Sequence, residues 1–108
     1  MNRTELLLHR LGFRRTYKGF RYLCHAVELA LEDDSYLTRL TKGLYPAVAE
    51  RFSTNEQAIE HALRTAVHDF WMRGNRSYFE QITCYPLRDK PYTGELIGIL
   101  VCNLKTLL

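Results

Sequence analysis

Residues 51–75, RFSTNEQAIEHALRTAVHDFWMRGN, have the pattern of one long helix with a short lead-in. The apolar residues of this stretch recur at helical spacing and form a single stripe: Ile59, Ala62, Leu63, Ala66, Val67 and Phe70. At about 100° per residue, the other side of the helix carries Gln57, Glu60, His61, Arg64 and His68. These side chains make directional hydrogen bonds, whereas a merely solvated face usually carries interchangeable Lys and Glu. The stretch therefore predicts a helix whose polar face has a specific binding partner.

The boundaries of this helix are marked in the sequence. Thr54 and Gln57 match a T-x-x-Q capping box, which predicts a helix start beside Asn55, and Gly74 predicts its end. A shorter helix, YPAVAERF, precedes it, with Pro46 well placed in its first turn.

The two helices flank a three-residue turn, and small residues on both helices permit a close approach. This is the layout of a helix-turn-helix, at about residues 45–72, whose second helix enters the DNA major groove with its N-terminal half. A generic helical hairpin within a bundle has the same pattern. The turn lacks the glycine often found there, so the residues alone leave both interpretations open.

The rest of the chain also has helical patterns, and no segment shows the sustained alternation of a strand. Helices are predicted after Asn2 (closed by Gly12), from about Gly19 to Asp33, through Leu37, Leu40 and Leu44, around Ser77 to Ile82, and after a cap at Thr93. The predicted fold class is all-α, a single domain of about six helices over residues 1–108 that is built around the helix-turn-helix.

Composition indicates a soluble globular protein, with 46% hydrophobic and 25% charged residues. No apolar run approaches the roughly 18 residues of a membrane span, and the N-terminus lacks the apolar region of a signal peptide. The three cysteines, Cys24, Cys84 and Cys102, lie in segments that look buried or apolar, and no pair has metal-ligand spacing. We therefore expect a cytoplasmic protein with reduced thiols, no membrane contact, no metal and no cofactor.

The sequence gives little support to catalysis. Cys24 and His25 are adjacent on a predicted helix and point in different directions, so they form no nucleophile–base pair. His61 and His68 are seven residues apart, too far for the usual pairing of metal ligands four residues apart. There is no glycine-rich phosphate loop. The protein is predicted not to be an enzyme.

The distribution of charge is more informative than the net charge of +3. Residues 10–21, RLGFRRTYKGFR, contain five bases interleaved with aromatic residues and no acid, which suits a polyanion or, more simply, a solvated loop. If the long helix binds DNA, cations and polar groups around it must hold the phosphates. The candidates for the DNA backbone are Lys42, Arg51, Asn55, Arg73, Arg76, Arg14, Arg15 and Lys18. Arg73 could instead offset the helix dipole in the last turn.

The polar face of the long helix has the chemistry needed to read bases. Arg64 can donate two hydrogen bonds to guanine, Glu60 can accept one from cytosine, and Gln57 suits adenine. The simpler interpretation of Glu60 and Arg64 is a surface ion pair worth about 0.3–0.5 kcal/mol. His61 is a further base-reading candidate, whereas His68 is expected to be solvated. Trp71 is expected to pack under the next helix.

A known family shares these features. The segment 40–75, LTKGLYPAVAERFSTNEQAIEHALRTAVHDFWMRGN, resembles the DNA-binding effector domain of the stage-zero sporulation response regulator of endospore-forming Firmicutes. The resemblance rests on Thr41-Lys42, Leu44-Tyr45-Pro46, Ala49, Phe52, Glu60, Ala62, Arg64, Ala66, Trp71 and Arg73-Gly74-Asn75. It extends outward to Gly12, Lys18-Gly19, Tyr22-Leu23, Lys90-Pro91 and Glu95-Leu96-Ile97, and so covers nearly the whole chain.

The resemblance implies six helices, binding to a short G·C-containing operator, often as tandem dimers, and regulation of transcription through the RNA polymerase sigma subunit. It also implies that Glu60 and Arg64 read bases. The chain departs from the family where His61 and Ala58 replace arginines, which predicts a changed operator or a lower affinity. No phosphoacceptor receiver domain is expected within these 108 residues, so an excised effector domain and a stand-alone relative both fit.

Two further expectations concern partners. In the last helix, 93–108, Ile99, Val101 and Leu108 exceed a one-sided apolar stripe, which predicts a weak homodimer unless these residues are buried within the monomer. The rival function is a protein-interaction module, derived from such a domain by loss of arginines, that binds another regulator or RNA polymerase. Positive potential around Glu60 and Arg64 would favour DNA.

Overall fold

The computed structural model describes residues 1–106, and none of them lies in a β-strand. The chain forms six α-helices: α1 (Arg3–Arg10), α2 (Lys18–Glu32), α3 (Tyr45–Arg51), α4 (Glu56–Arg73), α5 (Arg76–Thr83) and α6 (Thr93–Thr106). The prediction of an all-α fold of about six helices is confirmed. Among the described residues, no helix is both long enough and apolar enough to cross a membrane.

The helix starts are set by local side-chain hydrogen bonds. The Asn2 side chain accepts from the Glu5 amide and the Glu5 carboxylate accepts from the Asn2 amide, so the predicted helix after Asn2 begins with a capping box. The predicted box at Thr54 and Gln57 is wrong. Asn55 caps α4 instead, because its Oδ1 accepts from the Ala58 amide at 2.9 Å.

The α3–α4 turn explains this one-residue displacement. Ser53 adopts a left-handed conformation, with φ of 54°, and so takes the place of the glycine that is often found in such a turn. Asn55 then follows with an extended backbone, as a capping residue requires. The prediction of Thr93 as a cap is also off by one, since Thr93 is the first residue of α6.

The connection between α2 and α3 differs from the continuous helical spacing predicted through Leu37, Leu40 and Leu44. Asp33 has an extended backbone and its carboxylate accepts from both the amide and the hydroxyl of Ser35, which ends α2. A 3₁₀ turn, Asp34–Thr38, and a π-helical turn, Leu40–Leu44, follow. Among the three leucines only Leu44 is fully buried.

Aromatic stacking fixes the loop between α1 and α2 to the end of α4. Phe13, in that loop, stacks on Phe70 with ring centroids 4.8 Å apart, and Phe70 also packs against Phe79 of α5. Gly12 adopts φ of +93°, and a Cβ there would lie 3.1 Å from the Gly74 Cα. The ends of α1 and α4 are therefore held together, which orients the basic loop relative to α4.

Helices α2 and α4 cross at close range. A Cβ on Gly19 would lie 2.7 Å from the Ala62 carbonyl oxygen and 2.9 Å from the Ala66 Cβ. The small residues of α4 thus permit a close approach, as predicted, although the partner at this crossing is the start of α2.

Two expectations about buried residues need correction. Cys84 and Cys102 are exposed and only Cys24 is buried, although all three thiols are free as predicted. In α6, Val101 is 2% exposed and Ile99 is half-buried against the core, so Val101 is not surplus to the monomer. Val101 is buried because α6 packs against α2, α4 and α5, which cover a broad part of its circumference. Leu108 lies outside the described residues.

The α2–α4 crossing predicts opposite effects for one substitution at two helical positions. Gly19→Ala should lower the free energy of unfolding by about 1–3 kcal/mol, because the new methyl group would collide with backbone. Gly98→Ala in α6 should raise it by about 0.5–1 kcal/mol, because nothing lies within 4 Å and alanine favours helix. Urea unfolding followed by circular dichroism measures both. Equal effects would contradict the close crossing.

Candidate nucleic-acid interface

One side of α4 is buried and the other is open to solvent. Ile59, Leu63 and Phe70 are fully buried, whereas the polar residues predicted to read bases or to be solvated are all exposed: Gln57, Glu60, His61, Arg64 and His68. The helix is 18 residues long, whereas α3 has seven residues. The exposed face therefore presents a continuous row of hydrogen-bonding groups that the core does not use.

Glu60 and Arg64 form a surface ion pair at the middle of this face. The Arg64 Nη1 lies 3.7 Å from the Glu60 Oε1, and the two side chains are 64% and 48% exposed. An exposed pair at this distance contributes only a few tenths of a kcal/mol to folding, about 0.3–0.5. Glu60 and Arg64 can therefore separate and bind a ligand at little cost in folding stability.

A buried tyrosine lies near this pair. Tyr45, at the start of α3, is 6% exposed and lies close to Thr93, at the start of α6, and to Glu60 and Arg64. Burial raises the pKa of Tyr45, and the negative charge of Glu60 raises it further. The hydroxyl stays protonated in neutral solution, so Tyr45 is an uncharged polar group between α3 and α6.

A shallow groove runs beside the same face, between the start of α2 and α4. Thr16, Tyr17, Lys18 and Gly19 line one wall, and His61, Ala62, Thr65 and Ala66 line the other. The close crossing at Gly19 creates this proximity. The structure thus brings the predicted phosphate-binding Lys18 next to the predicted base-reading His61.

Asp69 connects the basic loop to the end of α4, a role that sequence reasoning missed. Its carboxylate accepts two hydrogen bonds from Arg73, at 2.8 and 3.1 Å, and lies 3.5 Å from the Arg14 Nε. Tyr17 joins the cluster, because its hydroxyl accepts from Arg14 at 3.2 Å. Asp69 is only 12% exposed, yet the sequence signal (an acid four residues before an arginine) is too common to single it out.

The remaining candidate backbone contacts lie in different surroundings. Lys42, in the π-helical turn, and Arg15 are exposed. The Arg76 guanidinium lies over the Trp71 ring, 4.2 Å from its centroid, and those of Arg51 and Arg21 each lie over the Phe52 ring at 5.2 Å. Arg51 therefore lies on the side of α2 that carries His25, next to the α3–α4 turn.

The structure restricts the roles that Asn55 and Trp71 can have in binding a ligand. The Asn55 Oδ1 is used for the cap of α4, which leaves only its amide group to donate to a ligand. Trp71 is half-buried and packs against the core, and its ring supports Arg76 of α5.

The adjacent Cys24 and His25 do not form a catalytic pair. Cys24 is buried, and burial together with Glu5 and Glu28 raises its thiol pKa to about 12, so it remains a thiol. His25 meets the Phe52 ring edge-on, and burial followed by the Arg51 charge lowers its pKa. Among residues 1–106 no three His, Cys, Asp or Glu residues are grouped so that they could hold a metal ion.

The short α3, the tight turn that follows it and the exposed polar face of α4 have the layout of a helix-turn-helix DNA-binding domain. A family model described as "Sporulation initiation factor Spo0A C terminal" matches residues 4–104. The chain belongs to this family of DNA-binding domains, which regulate transcription as the effectors of sporulation response regulators and are not enzymes.

The Asp69 cluster predicts a stability contrast on α4. Asp69→Asn should lower the free energy of unfolding by about 1–2 kcal/mol, because it weakens charge-assisted hydrogen bonds to a nearly buried carboxylate. Glu60→Gln makes the same chemical change four residues before the exposed Arg64 and should cost at most about 0.5 kcal/mol. Denaturant unfolding of both variants checks this. An equally small cost at Asp69 would show that the cluster is not structural.

Proposed function

We propose that this protein binds double-stranded DNA sequence-specifically and regulates transcription, with α4 in the major groove. Glu60 and Arg64 read a C and a G, and Gln57 and His61 contact neighbouring bases. The main support for the proposal is the Glu60–Arg64 ion pair, which is exposed and weak. It lies on the solvent-facing side of α4, in a domain that belongs to this family. Its residues hold the donors and acceptors for base edges while the core needs none of them.

Phosphate contacts would position the helix from both sides. Lys18, with Arg15 nearby, lies across the groove from His61, and Lys42 precedes α3 on the exposed π-helical turn. Arg14, Arg73 and Arg76 form a second group near the end of α4, where Asp69 and Trp71 hold their side chains in place. Arg51 and the Asn55 amide would serve the strand that passes the α3–α4 turn.

Assembly and further partners belong to the same proposal. With Val101 buried, the surface of α6 available to a second copy contains the half-buried Ile99, open space over Gly98, and the exposed Cys102. This surface supports at most weak pairing that tandem operators reinforce. Membership of the family supports the RNA polymerase sigma subunit as a partner and the cytoplasm as the place of action.

A protein-interaction module is the rival function. The loss of arginines at Ala58 and His61 favours it. The cations that flank α4 on the α2 and α3 sides favour DNA, because a positive rim around a base-reading face increases association with a polyanion.

Selection from a random duplex library tests the proposal. The protein should retain duplexes that share a G·C-containing motif, and the affinity for that motif should fall steeply with salt, by about 0.9 log units per log unit of salt for each phosphate contact. Failure to bind any duplex at low salt would favour the protein-interaction function.

Single substitutions should separate base reading from phosphate contact. Arg64→Ala should cost about 1–3 kcal/mol on the selected duplex and relax one guanine position, while binding to unrelated DNA falls much less. Lys42→Ala should weaken all duplexes alike. Glu60→Ala should relax a cytosine position and raise non-specific affinity, because it removes a negative charge that faces DNA.

Titrations with selected and scrambled duplexes measure these differences, and circular dichroism controls for folding. All three side chains are exposed, so melting should be close to wild type. Equal loss of specific and non-specific binding in Arg64→Ala would make Arg64 a phosphate contact. Unfolding of that variant would make the face structural.

A further inference from the structure

The connection between α5 and α6, residues 84–92, is a loop with a fixed conformation. Leu87 and Pro91 are buried and anchor it to the domain. The Leu87 amide donates to the Glu80 carboxylate at 3.2 Å, and Glu95 accepts both from the Tyr92 amide at 3.3 Å and from the Tyr85 hydroxyl at 2.6 Å. These contacts tie the loop to α5 and α6, and its exposed side chains project from that base.

The end of this loop lies next to the proposed DNA-binding face. Thr93 directly follows the loop and lies close to Tyr45, a buried residue that is also close to Glu60 and Arg64. Gly94 packs directly against the Leu40 side chain, and Leu40 lies two residues before Lys42. The loop therefore adjoins both the base-reading pair and a proposed phosphate contact.

The side chains that the loop exposes have the chemistry of a nucleic-acid contact. Tyr92 is 85% exposed, more than any other large hydrophobic residue among the described part of the chain. Arg88, Asp89 and Lys90 are all exposed, and neither Arg88 nor Lys90 forms an ion pair within residues 1–106. The Tyr92 ring, Arg88 and Lys90 therefore do not contribute to the core, and their functional groups are available to a ligand.

We propose that the 84–92 loop is a second DNA-contacting element, in which Lys90 pairs with a phosphate next to the segment read by Glu60 and Arg64. The Tyr92 ring packs on the adjoining deoxyribose and its hydroxyl donates to a phosphate oxygen. The loop carries no base-reading group in this arrangement, so it adds affinity and fixes the register of α4 without adding sequence preference. The inference rests on the proposed DNA binding.

The test measures binding of full-length Lys90→Ala and Tyr92→Ala to the selected duplex and to a scrambled duplex between 50 and 200 mM salt. Losing one phosphate contact should make the slope of log affinity against log salt shallower by about 0.9. Over this fourfold salt range, the affinity of Lys90→Ala should therefore fall by a factor that is roughly 3-fold smaller than for the wild type. Both duplexes should be affected equally. Tyr92→Phe should keep part of the affinity that Tyr92→Ala loses, because the ring contact persists.

Arg3→Ala is the matched control for charge. Arg3 is exposed and donates to the Leu104 carbonyl oxygen, and Leu104 is eleven residues along α6 from Thr93, or about 16 Å at 1.5 Å per residue. Its slope and affinity should match those of the wild type.

A second readout locates the contact. Replacing single phosphates of the duplex by neutral methylphosphonates should weaken wild-type binding at the phosphate that Lys90 contacts, and should have no effect there in Lys90→Ala. If the wild type binds DNA while Lys90→Ala and Tyr92→Ala keep its slope and affinity, the loop assignment is overturned and the proposed function stands. If the wild type binds no duplex, both fall.

Discussion

The close crossing of α2 over α4 is the constraint on which the rest of the structure depends. Gly19 meets the Ala62 carbonyl and the Ala66 methyl group with no space for a side chain, so α2 begins directly against the middle of α4. This crossing buries one side of α4 and leaves the opposite side free. It also carries Lys18 and the end of the basic loop to the edge of that free side. The packing of the domain and the composition of its proposed interface thus have one origin.

Electrostatics at the surface follow from where the acids lie. Asp69, nearly buried, holds Arg14 and Arg73 together at the end of α4, whereas Glu60 is exposed and only weakly paired with Arg64. The first acid serves folding, because its partners converge on it from two segments of the chain. Glu60 gains too little stability from Arg64 for folding alone to explain why a carboxylate is placed there. This difference in environment separates two carboxylates that share the same spacing to an arginine.

Much of the fold could be predicted from the sequence because helical periodicity, glycine ends and the α1 capping box are local signals. The cap of α4 could not be assigned to Asn55, because the left-handed Ser53 shifts the register of the turn and nothing in the sequence reports it. The 3₁₀ and π-helical turns arise from the Asp33–Ser35 hydrogen bonds and from packing. The base-reading candidates do share one exposed face, but the Asp69 cluster and the 84–92 loop depend on contacts between distant segments, which periodicity cannot show.

Arg64 is proposed to meet a guanine edge in the major groove beside the cytosine that Glu60 contacts. The most direct measurement replaces each guanine of the library-selected duplex in turn by 7-deazaguanine, which lacks the N7 acceptor but keeps the base pair and the phosphate charge. Affinity should fall sharply at the guanine that Arg64 reads and change little elsewhere. Binding that tolerates every replacement would contradict this assignment, because a helix that contacts only phosphates would not sense the loss of N7.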